Sequence, residues 1–126
     1  MKRKIKFRYY NLATKSMKQW EYIKGVNNLT KVLTLDHVHV MQYIGIKDKN
    51  GIEIYEGDYL VDRYPIDDED LDAGYHESLL PVVWCSKTLQ WCVDTSFAKD
   101  GSYLVSVIGY FGKQFEVKGN IYENKI

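Results

Sequence analysis

The sequence predicts an all-β protein with at most short helical turns, and three of its features support this. Its 126 residues include 11 tyrosines, 11 valines and 10 isoleucines, which are aromatic and β-branched side chains that suit a pleated sheet. Alanine, the strongest helix former, occurs only three times. Several short runs alternate between apolar and polar residues, which is the period of half-buried strands.

The first predicted element is a hairpin at the start of the chain. Residues 4–10 alternate with their apolar members on one face, residues 11–16 form a polar turn, and residues 17–23 are the returning strand. Glycine and asparagine interrupt the pattern at residues 25–28. Residues 33–43 are the next predicted strand.

The clearest local signal is a hairpin over residues 43–55. Two β-rich arms flank a polar tip that ends in Asn-Gly at residues 50–51, a pair that tolerates the positive φ angles of tight hairpin turns. Residues 48–51 also resemble the start of a calcium loop, but the glycine stands fourth, whereas such a loop needs it sixth. A turn at residues 56–58 then leads into a strand at residues 59–61.

Residues 62–77 carry seven acidic side chains against one arginine, a net charge of −6. A segment that repels itself in this way predicts a mobile loop, with room for one short helical turn. Its carboxylates at residues 67–72 could bind a divalent cation, or mimic nucleic-acid phosphates for a partner's basic site. A solvated loop is the commoner meaning of a charge run, and we prefer it.

The rest of the chain predicts a second hairpin and two closing strands. Residues 81–85 and 89–93 flank a three-residue tip, and strands are expected over residues 102–111 and 115–122. A strand, a long loop, a hairpin and two closing strands follow in this order in SH3-like barrels. We therefore predict one compact domain, in which a small N-terminal β unit packs on a C-terminal SH3-like partial barrel. The two parts are residues 1–51 and residues 52–126.

The basic N-terminal segment suggests one alternative function. Lysine and arginine together equal aspartate and glutamate at 17 each, so the whole chain has no net pull towards nucleic acid. The first 24 residues, however, carry eight basic side chains against one acidic, a net charge of +7, interleaved with five aromatic rings. Such a segment could follow a phosphate backbone and stack on bases, unless the rings simply face the core and the charges face water. The residues that would contact nucleic acid are Lys2, Arg3, Lys4, Lys6 and Arg8.

No pattern predicts a catalytic residue, a cofactor site or a metal site. His37 and His39 would lie about 6.6–7 Å apart on one strand face, which suits zinc only if a further ligand arrives from elsewhere, and a solvated face is preferred. Cys85 and Cys92 have six residues between them rather than two, and we expect them to pack as small apolar residues. We therefore predict that the chain is not an enzyme.

The cellular location is predicted from two absences. The basic start of the chain never opens into an apolar stretch, so no signal peptide is expected. No run approaches the roughly 18 apolar residues of a membrane span. We therefore expect a cytoplasmic protein with reduced cysteines and no membrane partner.

A family resemblance rests on three stretches that together span nearly the whole chain. They are residues 5–8 with 14–17, residues 41–58 (MQYIGIKDKNGIEIYEGD) and residues 117–124 (VKGNIYEN). These stretches resemble the YopX family, which occurs in phages and prophages of Gram-positive bacteria. The resemblance implies a phage-borne origin, a bacterial host cell and a β fold. It implies no known activity, so it supplies no functional residues.

The function we predict is that of a phage accessory protein acting as a non-catalytic protein-binding module. The partner would be a host protein, a phage protein or a second copy of the chain. Exposed strand edges and the oppositely charged segments, residues 1–24 and 62–77, suit such contacts. Nucleic-acid binding through the basic N-terminal segment is the alternative.

Overall fold

A computed structural model describes residues 4–25, 28–87, 89–94, 104–106 and 116–124 of the chain. Nine β-strands and two short α-helices lie within these residues, which confirms the predicted all-β class. The strands are Phe7–Asn11 (β1), Ser16–Lys18 (β2), Val38–Lys47 (β3), Glu53–Tyr55 (β4), Asp58–Pro65 (β5), Tyr75–Cys85 (β6), Gln90–Asp94 (β7), Leu104–Ser106 (β8) and Val117–Asn120 (β9). The helices are Trp20–Ile23 (α1) and Leu29–Leu33 (α2), and a 3-10 turn spans Leu71–Ala73.

The strands form two antiparallel sheets. The first sheet has the order β2-β1-β3-β4. The second has the order β8-β7-β6-β5-β9, and one of the two sheets forms a half-barrel. Strands β5 to β8 follow one another as a meander, and β9 returns to pair with β5. Strands β8 and β9 lie inside the two closing strands predicted over residues 102–111 and 115–122. Residues 102–103, 107–111 and 115 of these predictions lie outside the described residues.

Helix α1 replaces most of the strand predicted over residues 17–23, so that prediction is wrong beyond its start. Trp20 and Ile23 are three residues apart, and both pack in the core of the first sheet. Tyr22 between them is exposed. One turn of helix brings positions three apart onto the same side, which a strand cannot do. The strand predicted over residues 33–43 also starts late, because α2 occupies its first residue and β3 begins only at Val38.

Much of the acidic segment 62–77 is strand, so the predicted long loop is wrong at both ends. β5 continues to Pro65 and β6 starts at Tyr75, which leaves residues 66–74 as the connection. Arg63 lies opposite Glu77, and its Nε is 3.1 Å from the Glu77 carboxylate. This cross-strand pair offsets the repulsion that the composition suggests. The short helical turn expected there is confirmed by the 3-10 turn.

The chain passes from the first sheet to the second at Glu56 and Gly57, later than the boundary predicted at residue 52. The glycine has a φ of 86° and donates its N–H to the Val82 carbonyl at 2.8 Å. Strand β4 belongs to the first sheet, yet its Ile54 is fully buried in the core of the second. The two sheets therefore share one core cluster.

Asp48 ties the tip of the β3–β4 hairpin to the start of β9. Its Oδ1 accepts the N–H groups of Asn50 at 2.8 Å and Ile52 at 2.9 Å, and its Oδ2 accepts that of Val117 at 3.0 Å. Gly51 has a φ of 81°, so the predicted Asn-Gly hairpin is confirmed. Burial raises the pKa of Asp48, but the three N–H donors outweigh burial and bring its pKa below the ordinary 3.8.

Replacing Asp48 with alanine should destabilise the protein by about 1–3 kcal/mol at pH 7, because three N–H groups lose their acceptor. Because the pKa of Asp48 is lower in the folded state, its charge stabilises the fold at pH values above 3.8, the pKa in the unfolded chain. This stability is lost as the pH falls through the pKa of the folded state. Urea unfolding should therefore show a larger difference between Asp48→Ala and wild type at pH 7 than at about pH 3. An equal difference at both pH values would contradict the role of the charge.

The helices that the structure describes are four and five residues long, and none has the length or apolar character to span a bilayer.

Candidate functional site

A cleft of about 460 Å³ opens where the core face of the second sheet ends. Trp84 of β6, Trp91 of β7, Gln42 of β3 and Glu56 from the turn after β4 line it, and we call it the tryptophan cleft. Side chains alternate along a strand, so Trp84 shares a face with the fully buried Val82. Trp91 packs against the same core cluster, whereas Trp84 is 46% exposed. The cleft therefore continues the core towards solvent.

Strand register brings the two tryptophans together. Cys85 pairs with Gln90, so Trp84 lies directly opposite Trp91. Their ring centroids are 5.0 Å apart and their planes meet at 68°, an edge-to-face contact. The pair is thus held by two strands of one hairpin, a rigid base for a binding surface.

Leu89 sets this register by adding a fourth residue to the β6–β7 turn. It has a φ of 54°, in the left-handed region. The sequence predicts a shorter tip, residues 86–88, and a strand that starts at Leu89. That tip would place Trp91 opposite Val83, on the other face of the sheet from Trp84. The predicted hairpin is confirmed, but the structure shifts its register by one residue.

Glu56 brings a carboxylate to the tryptophan cleft from the passage between the sheets. Its backbone N–H donates to the Gln42 carbonyl at 2.9 Å, and its Oε1 lies 3.5 Å from the Gln42 backbone nitrogen. Burial raises the pKa of Glu56, and the Gln42 N–H opposes this. A carboxyl group with a raised pKa is one whose charge the protein itself stabilises poorly.

A buried ion pair joins the two sheets near this passage. Arg8 Nη2 donates to Asp58 Oδ1 at 2.5 Å, and the two side chains are only 9% and 3% exposed. Asp58 Oδ2 also accepts the Tyr55 N–H at 2.8 Å. The guanidinium carbon lies 4.7 Å from the Tyr55 ring centroid. Burial raises the pKa of Asp58, and both the Arg8 charge and the Tyr55 N–H oppose this.

The residues of the nucleic-acid alternative are placed in very different surroundings. Lys4 is exposed. Lys6 is 2.8 Å from the Glu53 carboxylate, and with the buried Arg8 it lines an open cleft of about 310 Å³. Two of the five basic side chains are therefore paired with carboxylates of the same chain. Those that lie outside the described residues are Lys2 and Arg3.

The histidines and cysteines considered in the sequence do not form a metal site in the part of the chain that the structure describes. His37 lies in the turn before β3, and His39 is exposed with its ring centroid 5.3 Å from that of Tyr122. No group of three or more described His, Cys, Asp or Glu side chains is placed to hold a metal ion. Cys85 and Cys92 are both buried and are not joined in a disulfide.

The sequence alone does not identify the tryptophan cleft. The only local signal is that Trp84 and Trp91 belong to the two arms of one predicted hairpin. Gln42 and Glu56 are distant in sequence from them, and only the pairing of β3 with β4 and the passage at Gly57 bring them near.

One comparison with known proteins identifies a family, and another identifies a similar fold. The family model described as YopX protein matches residues 2–125. Among solved structures, the chain is similar to "Crystal structure of protein EF1440 from Enterococcus faecalis", with a TM-score of 0.60 and 24% sequence identity. That match covers 98% of this chain and 96% of the other, and at this identity it shows the fold alone. A search of curated proteins gave no match.

Proposed function

The chain belongs to the YopX family, and we propose that it is a phage or prophage accessory protein that acts in the bacterial cytoplasm as a non-catalytic protein-binding module. The partner is a host protein, a phage protein or a second copy of the chain. The observation that carries this proposal is the pair of tryptophans at the open end of the core.

An exposed tryptophan on a rigid hairpin is a characteristic anchor of protein interfaces. Tryptophan is among the residues most enriched in the few positions that dominate binding energy. Trp84 is large, nearly half exposed, and backed by the core through Trp91. A partner side chain that fills the tryptophan cleft would bury this apolar surface without ordering a flexible loop.

Charge also favours a protein partner over nucleic acid. The connection at residues 66–74 exposes five acidic side chains, which repel phosphates and attract basic protein surfaces. In addition, Lys6 and Arg8 are already paired with Glu53 and Asp58. Fewer basic side chains are thus available for a phosphate backbone than the sequence suggests.

Affinity capture tests this function directly. The wild-type chain, Trp84→Ala and Leu71→Ala are immobilised and exposed to lysate from phage-infected cells, and self-association is followed by light scattering. Leu71 is the matched control, because it is an exposed apolar residue in the distant 66–74 connection. We expect wild type and Leu71→Ala to retain the same partner, or the same oligomer, and Trp84→Ala to lose it.

Two results would contradict the proposal. One is equal recovery of partner or oligomer by Trp84→Ala and wild type. The other is a gel shift with DNA or RNA that weakens steeply with salt and on replacing Lys2, Arg3 and Lys4 with alanine, which would support the nucleic-acid alternative instead.

A further inference from the structure

Among the described residues, two cations each contact both an aromatic ring and a carboxylate. In the first case Arg8 lies 4.7 Å from the Tyr55 ring centroid and is bonded to Asp58. In the second case Lys6 Nζ lies 5.8 Å from the Tyr43 ring centroid and 2.8 Å from Glu53. The ring face carries the negative side of its quadrupole, so ring and carboxylate attract the same cation.

The tryptophan cleft has the same two components. Trp84 and Trp91 supply the rings, and tryptophan is the best of the aromatic side chains at attracting a cation. Glu56 supplies the carboxylate. Among the described residues, no lysine or arginine forms an ion pair with Glu56 or lies over either tryptophan ring. Within the described residues, the tryptophan cleft therefore lacks the cation that ring and carboxylate share at Arg8 and at Lys6.

We propose that the tryptophan cleft binds a lysine or arginine side chain presented by a protein partner, with the cation against Trp84 and Trp91 and its charge met by Glu56. This inference rests on the proposed protein-binding function and names the chemistry of its partner. The backbone of Gln42 holds Glu56 at the cleft. The volume of the cleft, about 460 Å³, lies within the range of pockets that bind small ligands.

Two properties of Glu56 favour a cationic occupant over a neutral one. Its carboxylate is half-buried, and the raised pKa reflects a charge that lacks a strong partner within the described part of the chain. A bound cation would supply that partner. An uncharged ligand such as a sugar could stack on the tryptophans, but it would leave the carboxylate charge uncompensated.

NMR titration tests the inference with small probes. The indole N–H signals of the ¹⁵N-labelled chain are followed during addition of the blocked peptide Ac-Gly-Gly-Arg-Gly-Gly-NH₂. The same peptide with neutral citrulline in place of arginine is the ligand control, and maltotriose tests the sugar. We expect only the arginine peptide, among the three ligands, to shift the Trp84 and Trp91 signals. The signal of Trp20, which lies in α1 against the first sheet, should not shift.

The variants are chosen to separate charge from folding. Glu56→Gln should weaken binding of the arginine peptide by about tenfold, consistent with the loss of a partly desolvated charge pair. Glu69→Gln removes the same charge from the exposed 66–74 connection and should leave affinity unchanged. Trp84→Ala should abolish the shift of the Trp91 signal.

The opposite outcomes overturn the inference. Equal shifts with citrulline, shifts with maltotriose but not with arginine, or unchanged affinity in Glu56→Gln would each exclude a cation site. If Trp84→Ala loses the captured partner while the arginine peptide shifts neither indole, the protein-binding function stands and only the cation assignment fails. If Trp84→Ala keeps its partner, the proposed function itself fails.

Discussion

Replacing Asp58 with alanine should destabilise the protein by about 3–5 kcal/mol, because the buried Arg8 charge would lose its carboxylate partner. The Asp58 side chain is 3% exposed and that of Arg8 is 9% exposed, so water cannot readily replace the lost carboxylate. Within the described residues, Arg8 Nε already has no acceptor. The Tyr55 N–H would lose its acceptor as well. Urea unfolding followed by circular dichroism measures the change in the free energy of unfolding.

A double variant separates the effect of the unpaired buried charge of Arg8 from the effect of lost side-chain packing. Arg8→Met combined with Asp58→Ala removes both charges, so it should be more stable than Asp58→Ala alone even though it carries one more substitution. The exposed pair of Lys24 and Glu21 is the matched control, and Lys24→Ala should leave the unfolding midpoint unchanged. A double variant less stable than Asp58→Ala would show that the arginine contributes through packing rather than through its charge.

Leu80→Ala should cost about 2–5 kcal/mol and should destabilise both sheets together. Leu80 is fully buried in the second sheet, in a cluster that also contains Ile54 of β4. Ile44 and Ile46 of β3 pack against the same cluster. Because the first sheet supplies part of this core, a cavity at Leu80 weakens contacts on both sides of the passage between the sheets.

Hydrogen exchange measured by mass spectrometry checks this cooperativity. Peptides from β1 and β3 and peptides from β6 and β7 should lose protection at the same urea concentration in wild type, and at the same lower concentration in Leu80→Ala. Leu71→Ala, at an exposed position, should leave both transitions in place. Protection that persists in β1 and β3 after β6 and β7 have opened would show that the chain is two domains.

Local sequence signals predicted the elements whose shape depends on neighbouring residues alone. The β3–β4 hairpin follows from an Asn-Gly tip, and Asp48 closes it by accepting N–H groups two and four residues further on. The 3-10 turn inside the acidic segment has a comparable local contact, since Asp70 accepts the Asp72 N–H at 3.1 Å. Such contacts need no distant partner, so the sequence reveals them.

The predictions that failed depend on contacts between residues far apart in sequence. Residues 20–23 fall in a predicted strand, but a helical turn packs Trp20 against the core of the first sheet and buries Ile23 in it. The acidic composition of residues 62–77 suggested a loop, but Glu77 also meets Lys118 of β9 at 2.7 Å, a strand that arrives from the end of the chain. Composition cannot show which charges will find a partner.

By itself, the sequence determined the all-β class, the two central hairpins and the resemblance to the YopX family, since these rest on composition, alternation and local turn chemistry. Only the tertiary structure decided that Arg8 is a buried link between sheets rather than a surface charge. Only the tertiary structure, too, placed Trp84 and Trp91 on one face of the sheet and Glu56 in the same cleft. The physical reason for the tryptophan pair is strand register. Leu89 has a backbone conformation in the left-handed region and lengthens the β6–β7 turn by one residue, which places Trp91 on the same face of the sheet as Trp84.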